Sequence, residues 1–459
     1  MVAIAPETMS PLAQQVDWDA VRDEVTGYLQ ALIRLETVNP PGNEKLVADY
    51  LRELLEAEGF DVETRAQVEN RDNLTTRLSG SGEGGRPMLL MAHSDVVSVE
   101  ADKWTYPPFG GEIHDGMIYG RGAIDMKHTL SSELMIMLLV KRMGLQLNRD
   151  LIMGIFADEE AGSRAGAHFM WDNHRELIDA EVAICEGGGP AMDLLGQRFY
   201  TCRTGEKGGA AVRIIARAAP GHASVPRDDT AMLRMGRALE KISTTIFPTH
   251  MTASVERMLR TMQVALGDDA AEIIDVILQD PTWENLQRLP LSEKDLIRLR
   301  AMTRTSAVPT IIHGGHRRNV IPGEVICDVD VRILPGQEPA QVRQQIADLL
   351  GPDVIVEAAG PGRSGIESDP ESDLFDVLGE VMGRLDPGSV VMPTIMTGGS
   401  DAKAVPGIKV YGFVPAVLSA EERDGAHNHN ECISIDNLLY QTQALFEVVL
   451  RYCDAQPAA

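Results

Sequence analysis

Three short apolar runs in this chain each stop at a carboxylate or an imidazole, and helical patterns separate them. Pro87 to Met91 leads into His93-Ser94-Asp95, Asp150 to Phe156 leads into Asp158-Glu159-Glu160, and Ala180 to Cys185 leads into Glu186. Between them, Met126 to Arg142 and Gly166 to His174 carry the 3.6-residue periodicity of helices. Apolar strands alternating with helices build a mostly parallel sheet with both faces covered, so the expected fold class is α/β. In such a sheet, ligands bind beyond the carboxyl ends of the strands. All three runs deliver their polar side chains to that edge.

At 459 residues the chain exceeds what one ordinary core holds, and two domains are expected. Helices are predicted from Val21 to Leu35 and from Asn43 to Glu58, where Gly59 ends the second. From Gly208 the texture changes. Ala210 to Ala218 alternates like a strand that could pair or pack between subunits, Thr230 to Thr245 is amphipathic, and Val320 to Leu334 alternates again. Helix Pro339 to Leu350 and strand Val354 to Ala358 follow, and a helical excursion at about 252–305 interrupts the unit. After Gly362 the first texture returns, with helix Ser372 to Arg384, the turn Thr397 to Asp401, strand Val410 to Val414 and helix Ile435 to Tyr452. The organisation expected is a discontinuous sheet domain, residues 1–206 and 363–459, carrying an inserted α+β domain at 207–362.

The formal net charge of -26 makes nucleic-acid phosphates and anionic membrane surfaces poor partners. An anionic substrate would need local Arg, Lys or backbone N–H groups to overcome that field. The N-terminal segment has neither a basic nor an apolar region, and no stretch reaches the roughly 20 apolar residues of a membrane span. A cytoplasmic location is expected. Cys185, Cys202, Cys327, Cys432 and Cys453 are scattered and form no CxxC pair, which fits reduced thiols.

The chemistry lies in the residues at the strand ends. Alternate residues of an extended segment point to opposite sides, so His93 can face a metal while Asp95 packs behind it. Asp125 precedes a helix and could cap it, or could bridge two metals with its two oxygens. Asp158-Glu159-Glu160 is either a solvated acidic loop or a cluster that cations hold together, because adjacent carboxylates repel. Glu186 is followed by Gly187-Gly188-Gly189, which permit close backbone approach. With His427 added, five ligand-type side chains and one spare carboxylate are what two zinc ions and a general base need.

His-x-Asp-Val-Val, Gly-Arg-Gly-Ala-x-Asp-Met-Lys, Asp-Glu-Glu, Glu-Gly and a late His-x-x-Asn-Glu occur here in that order. Together they resemble the zinc-dependent M20 metallopeptidases, which include carboxypeptidases, aminoacylases and deacylases. Trp104 to Lys127, with Pro107-Pro108-Phe109-Gly110, is similar to the carboxypeptidase S and N-acyl amino acid hydrolase branch. The resemblance implies two zinc ions per chain, replaceable by cobalt. His93 and Glu186 would hold one, Glu160 and His427 the other, and Asp125 would bridge them. His429 remains a second candidate for the late ligand. Glu159 would be the general base and Asp95 would orient His93. His222, in Gly221-His222-Ala223-Ser224, would polarise the scissile carbonyl, often from a partner subunit of a homodimer. Asn319, Arg332 and the turn Gly398-Gly399 would hold a substrate carboxylate. The implied reaction is hydrolysis of an amide whose leaving amine is an amino acid, with either a peptide or an N-acyl amino acid as the small-molecule substrate. A metal-binding scaffold without catalysis is the alternative of another class.

Overall fold

Residues 4–457 are described by the computed structural model. The strands Met88–His93 and Leu151–Phe156 are buried along their whole length, as their unbroken apolar sequences require of central strands covered on both faces. They pair parallel to each other, Met88–His93 pairs parallel to Val182–Cys185, and Val182–Cys185 pairs parallel to Lys409–Gly412. This parallel middle sets His93, Asp158 and Glu186 beyond the same edge. Asp72–Leu78 and Val62–Ala66 extend the sheet antiparallel on its far side. Helix Lys127–Arg142 lies on the two central strands and packs against Trp18–Arg34 and Ile435–Tyr452. It is buried from Lys127 through Val140, which explains why residues 134–140 are apolar all round.

A small antiparallel sheet of Glu112–His114, Met117–Tyr119 and Cys432–Ser434 ties the late part of the chain to the segment before Asp125. Its register sets Cys432 opposite Tyr119, so Glu431 comes to lie against Gly120.

The chain divides into two compact units. One runs up to Thr204 and includes Ser368–Pro393 and everything from Ser400; the other comprises Gly205–Glu367 and Thr394–Gly399. Compared with the expected 207–362, the second unit is longer at both ends and also takes the turn Gly398-Gly399. The backbone N–H of Lys207 donates to the carbonyl of Met396 at 2.9 Å, which draws that turn to this unit.

Within the second unit, Glu324–Ile333 alternates strictly between buried and less buried positions, with Val325, Cys327, Val329, Val331 and Ile333 inward. They pack with Val212, Ile214 and Ala216 beneath helices Ala231–Thr244 and Pro339–Leu350. The expected strand from Val320 to Leu334 is in fact two. Pro322 has no N–H to donate, and Val320–Ile321 pairs instead with Gly221–His222. The excursion folds as the helices Ala253–Leu266, Asp268–Gln279, Trp283–Leu286 and Glu293–Thr303. Val212–Arg217 is not a strand free to pair between subunits, because Glu324–Ile333 and Ile355–Ala358 flank it. Among the described residues, Ser306–Gly314 pairs on one side only, with Glu324–Ile333, and so lies at one edge of the sheet, with Ile355–Ala358 at the other. All five cysteines are buried, and none forms a disulfide. No helix among the described residues is long and apolar enough to cross a membrane.

Candidate metal centre

His93 is the last residue of a buried strand and is itself 1% exposed, so its ring has one orientation available. Nδ1 sits 3.0 Å from the backbone carbonyl of Asp95 and 3.5 Å from its Oδ1. Nε2 is thereby directed forward, 3.2 Å from Asp125 Oδ1 and 3.8 Å from Glu186 Oε1. The other oxygen of Asp125, Oδ2, lies 3.1 Å from Nε2 of His427, which is also 3.2 Å from Glu160 Oε2. The two oxygens of one carboxylate therefore face two different ligand sets. In each of three combinations, namely His93 with Asp125 and Glu186, His93 with Glu159 and Glu160, and Asp125 with Glu160 and His427, the donor atoms lie within 4.8 Å of one another.

The capping alternative for Asp125 does not hold. Met126 is the N-cap of the following helix, and no side chain caps it. His429 faces Glu100 at 3.2 Å and takes no part in these groups.

Asp95 does more than stand behind His93. Its Oδ1 accepts the N–H of Glu159 at 3.1 Å, and its Oδ2 accepts those of Glu160 at 3.1 Å and of the Asn39 amide at 2.7 Å. One buried carboxylate thus fixes the backbone of both following glutamates. Asp158 points away from the cluster. It accepts from Arg71 Nη2 at 3.0 Å and from the N–H of Ala165 at 3.0 Å, and Arg71 grips both oxygens of Glu44 at 2.7 Å. Asp158 and His427 both hold left-handed backbone conformations, with φ of 67° and 60°, a strain that tends to collect at functional sites.

Glu186 is held from behind by Arg203, whose Nε and Nη2 donate to its backbone carbonyl at 3.0 and 2.8 Å. The glycines after it serve close packing: a Cβ on Gly188 would come within 2.2 Å of the Gly412 carbonyl oxygen. Glu431, fully buried, accepts the N–H groups of Gly122, Ile124 and Asp125 at 3.0, 2.8 and 2.9 Å and pairs with Arg121. It was not among the residues expected to act, although its place in the late motif was a signal.

The chain's charges fit divalent cations here. Burial, and then the neighbouring Glu186, push the Glu159 carboxyl far above its ordinary value. Burial and Asp125 do the same to Glu186. Burial opposes ionisation of Asp125 too, yet His427 and His93 hold it well below the usual carboxylate range. His427 is raised to about 10 by Asp125 and Glu160. Acids that resist ionising together, set beside imidazoles that carboxylates draw toward charge, form a set that a cation pair neutralises.

The remaining expected residues lie in the second unit. His222 pairs with Val320 across the two short strands, its Nδ1 is 2.7 Å from Ser224 Oγ, and the N–H of Ala223 donates to the carbonyl of Asn319 at 3.0 Å. His222 and Asn319 are therefore neighbours. Arg332, on Glu324–Ile333, is half-exposed and gives Nε to Asp330 at 3.0 Å.

The family model described as Peptidase family M20/M25/M40 matches residues 89–451. The chain is 24% identical to the N-fatty-acyl-amino acid synthase/hydrolase PM20D1 of Xenopus tropicalis over 81% of this chain and 74% of that protein. It is 26% identical to the probable carboxypeptidase S-like 2 of Dictyostelium discoideum over 80% of this chain and 71% of that protein. Its fold resembles that of the M20 family metallo-carboxypeptidase Sso-CP2 from Sulfolobus solfataricus, with a TM-score of 0.68, 18% identity, and 94% and 100% of the two chains covered. With a family match that spans most of its length and ends beyond the late histidine, the chain belongs to the M20/M25/M40 peptidase family and is a metallohydrolase.

Proposed function

We propose that this enzyme hydrolyses an amide bond and releases an amino acid with a free carboxylate, using two zinc ions per chain. The observation that carries the reading is Asp125, whose Oδ1 meets the His93 set and whose Oδ2 meets the His427 set. His93 and Glu186 would hold one ion, Glu160 and His427 the other, with Asp125 between them. When bound, such a pair supplies a water acidic enough to attack near neutral pH and polarises the scissile carbonyl. Glu159 takes the proton of the attacking water and passes it to the leaving nitrogen as the C–N bond breaks. Its backbone is fixed by Asp95, which limits where its carboxylate can swing. Arg332 and Asn319, with the backbone of Gly398-Gly399, hold the carboxylate of the leaving amino acid. A chain of net charge -26 needs such a local set of donors.

Free-acid substrates are therefore expected to be hydrolysed much faster than the same substrates amidated at the C-terminus. Arg332→Lys keeps the charge but loses the forked geometry. It should lower kcat/KM by about 1.5–3 kcal/mol, the range for a hydrogen bond to a charged group. Equal rates on acid and amide would remove the carboxylate from the recognition scheme.

We further infer a homodimer with His222 acting across it. Ser306–Gly314 supports this, because it is an edge strand, paired on one side only among the described residues, that exposes Val308, Ile311 and Ile312. Chains carrying His222→Ala mixed with chains carrying Glu159→Gln should regain activity, since a mixed dimer would contain one intact site. No recovery after demonstrated subunit exchange would place His222 in its own chain's site or outside the reaction.

A further inference from the structure

Glu159 and Glu160 leave the strand Leu151–Phe156 through a left-handed residue, Asp158, with φ 67° and ψ 17°. A residue other than glycine keeps that conformation only where its surroundings hold it. Asp158 is held through its side chain and its backbone. Oδ1 accepts from Arg71 Nη2 at 3.0 Å and from Asn39 Nδ2 at 3.2 Å, and Oδ2 accepts the N–H of Ala165 at 3.0 Å. Its own N–H donates to Glu44 Oε1 at 3.2 Å.

Arg71 joins these contacts. Its Nε and Nη2 each donate to Glu44 at 2.7 Å, and its Nη1 donates to the Pro41 carbonyl at 3.3 Å. The chain wraps closely round the guanidinium: Gly42 has φ 84°, and a Cβ there would lie 2.3 Å from Nε. Asn39, Glu44, Arg71 and Asp158 are all more than nine-tenths buried. None of them lines the pocket of about 340 Å³ that opens beside Asp125 and Glu186.

We propose that Arg71, with Glu44 and Asn39, is a positioning residue that sets the direction from which Glu159 enters the reaction. The inference rests on the reading of Glu159 as the general base. Asp95 accepts the N–H groups of Glu159 and Glu160, each at 3.1 Å, and so fixes the turn from one side. Arg71 fixes the residue before Glu159 from the other. The Asn39 amide ties the two holds together, since it also donates to Asp95 Oδ2 at 2.7 Å. Without the guanidinium, the buried carboxylates of Glu44 and Asp158 repel each other with no counter-charge between them. Asp158 relieves that repulsion by leaving its left-handed conformation, which turns Glu159 away from the attacking water.

The test compares Arg71→Lys in two backgrounds of the full, zinc-loaded chain, wild type and Glu159→Gln, on one free-acid N-acyl amino acid. Lysine keeps the charge but loses the fork that holds Glu44 and Asp158 together. In the wild-type background kcat should fall on the order of 10- to 100-fold, as for a reacting group displaced by about 1 Å. KM should stay within about twofold, because a group that acts on the chemical step alone leaves binding unchanged. Zinc content should equal that of the wild type. In the Glu159→Gln background the same substitution should change the residual kcat by less than about twofold, since residues that act through one another are not additive. An Arg71 with a structural role only would lower kcat by the same factor in both backgrounds, and that result overturns the proposal. Wild-type kcat in Arg71→Lys, or loss of zinc from it, does so too. Gly42→Ala presses on Nε without removing the arginine and should reproduce the pattern if Arg71→Lys fails to fold. Failure of both variants to fold would make the network a requirement of folding and overturn the positioning role. Near-normal turnover of Glu159→Gln alone would refute the base assignment and this inference with it, whereas equal factors beside a large Glu159→Gln loss would count against Arg71 only.

Discussion

Glu159→Gln is expected to keep the fold and two zinc ions per chain while losing roughly 10²- to 10⁴-fold in kcat, the usual contribution of a positioned acid-base group. That loss is about 3–5 kcal/mol in the barrier at 1.36 kcal/mol per decade. The fold should survive because the structure holds residue 159 by its backbone: the N–H is given to Asp95 Oδ1 at 3.1 Å. A glutamine there keeps that bond and the side-chain volume but has no carboxylate to accept a proton from water. Elemental analysis of the zinc-loaded variant separates the two roles open to this residue, since Glu159 also belongs to one of the three donor groups, with His93 and Glu160. Two zinc ions retained with turnover lost identifies the base. Loss of one ion would make Glu159 a ligand, and near-normal turnover would remove it from the reaction.

The residues that form the candidate metal groups were legible in the sequence because they follow local rules. An unbroken apolar run such as Met88–His93 reads as a central parallel strand, and a polar residue at its end must face the sheet's ligand edge. The residues that hold the site in place were much harder to read. Asn39 reaches Asp95, Arg71 reaches Asp158 and Glu431 reaches Asp125, across 56, 87 and 306 positions of sequence. No periodicity encodes contacts at such separations. The run Asp158-Glu159-Glu160 shows the limit well. Repulsion within it called for cations, but the guanidinium of Arg71 takes up the charge of Asp158, leaving only Glu159 and Glu160 to the metal side. Strand edges posed a similar difficulty. Val212–Arg217 lies inside its sheet and Ser306–Gly314 at its border, a distinction set by which strands pair and not by composition.

Glu431→Ala should be the most damaging substitution outside the ligands themselves. Its carboxylate is fully buried, pairs with the buried Arg121, and accepts three backbone N–H groups from the loop that ends in Asp125. Removing it strands a buried guanidinium that also lies over the face of Trp104, 5.4 Å from the ring centroid, and orphans three amide donors. Breaking one side of a buried ion pair costs about 3–5 kcal/mol, because the partner charge stays buried without compensation. The consequence should reach the metal centre. Asp125 is placed by its own N–H, which donates to Glu431 Oε1 at 2.9 Å, so the loop that presents the candidate bridging carboxylate loosens when that acceptor is gone. Outer partners of metal ligands typically govern 10- to 100-fold in affinity. Urea unfolding of the zinc-loaded chain should show the stability loss, and chelator competition should show weaker zinc binding. Glu431→Gln retains the shape but turns an amide NH₂ toward backbone donors or toward Arg121, so it should fall between wild type and the alanine variant in both measurements. Wild-type zinc affinity in a destabilised Glu431→Ala chain would confine this residue to holding the small sheet together and would leave the placement of Asp125 to Met126 and the helix behind it.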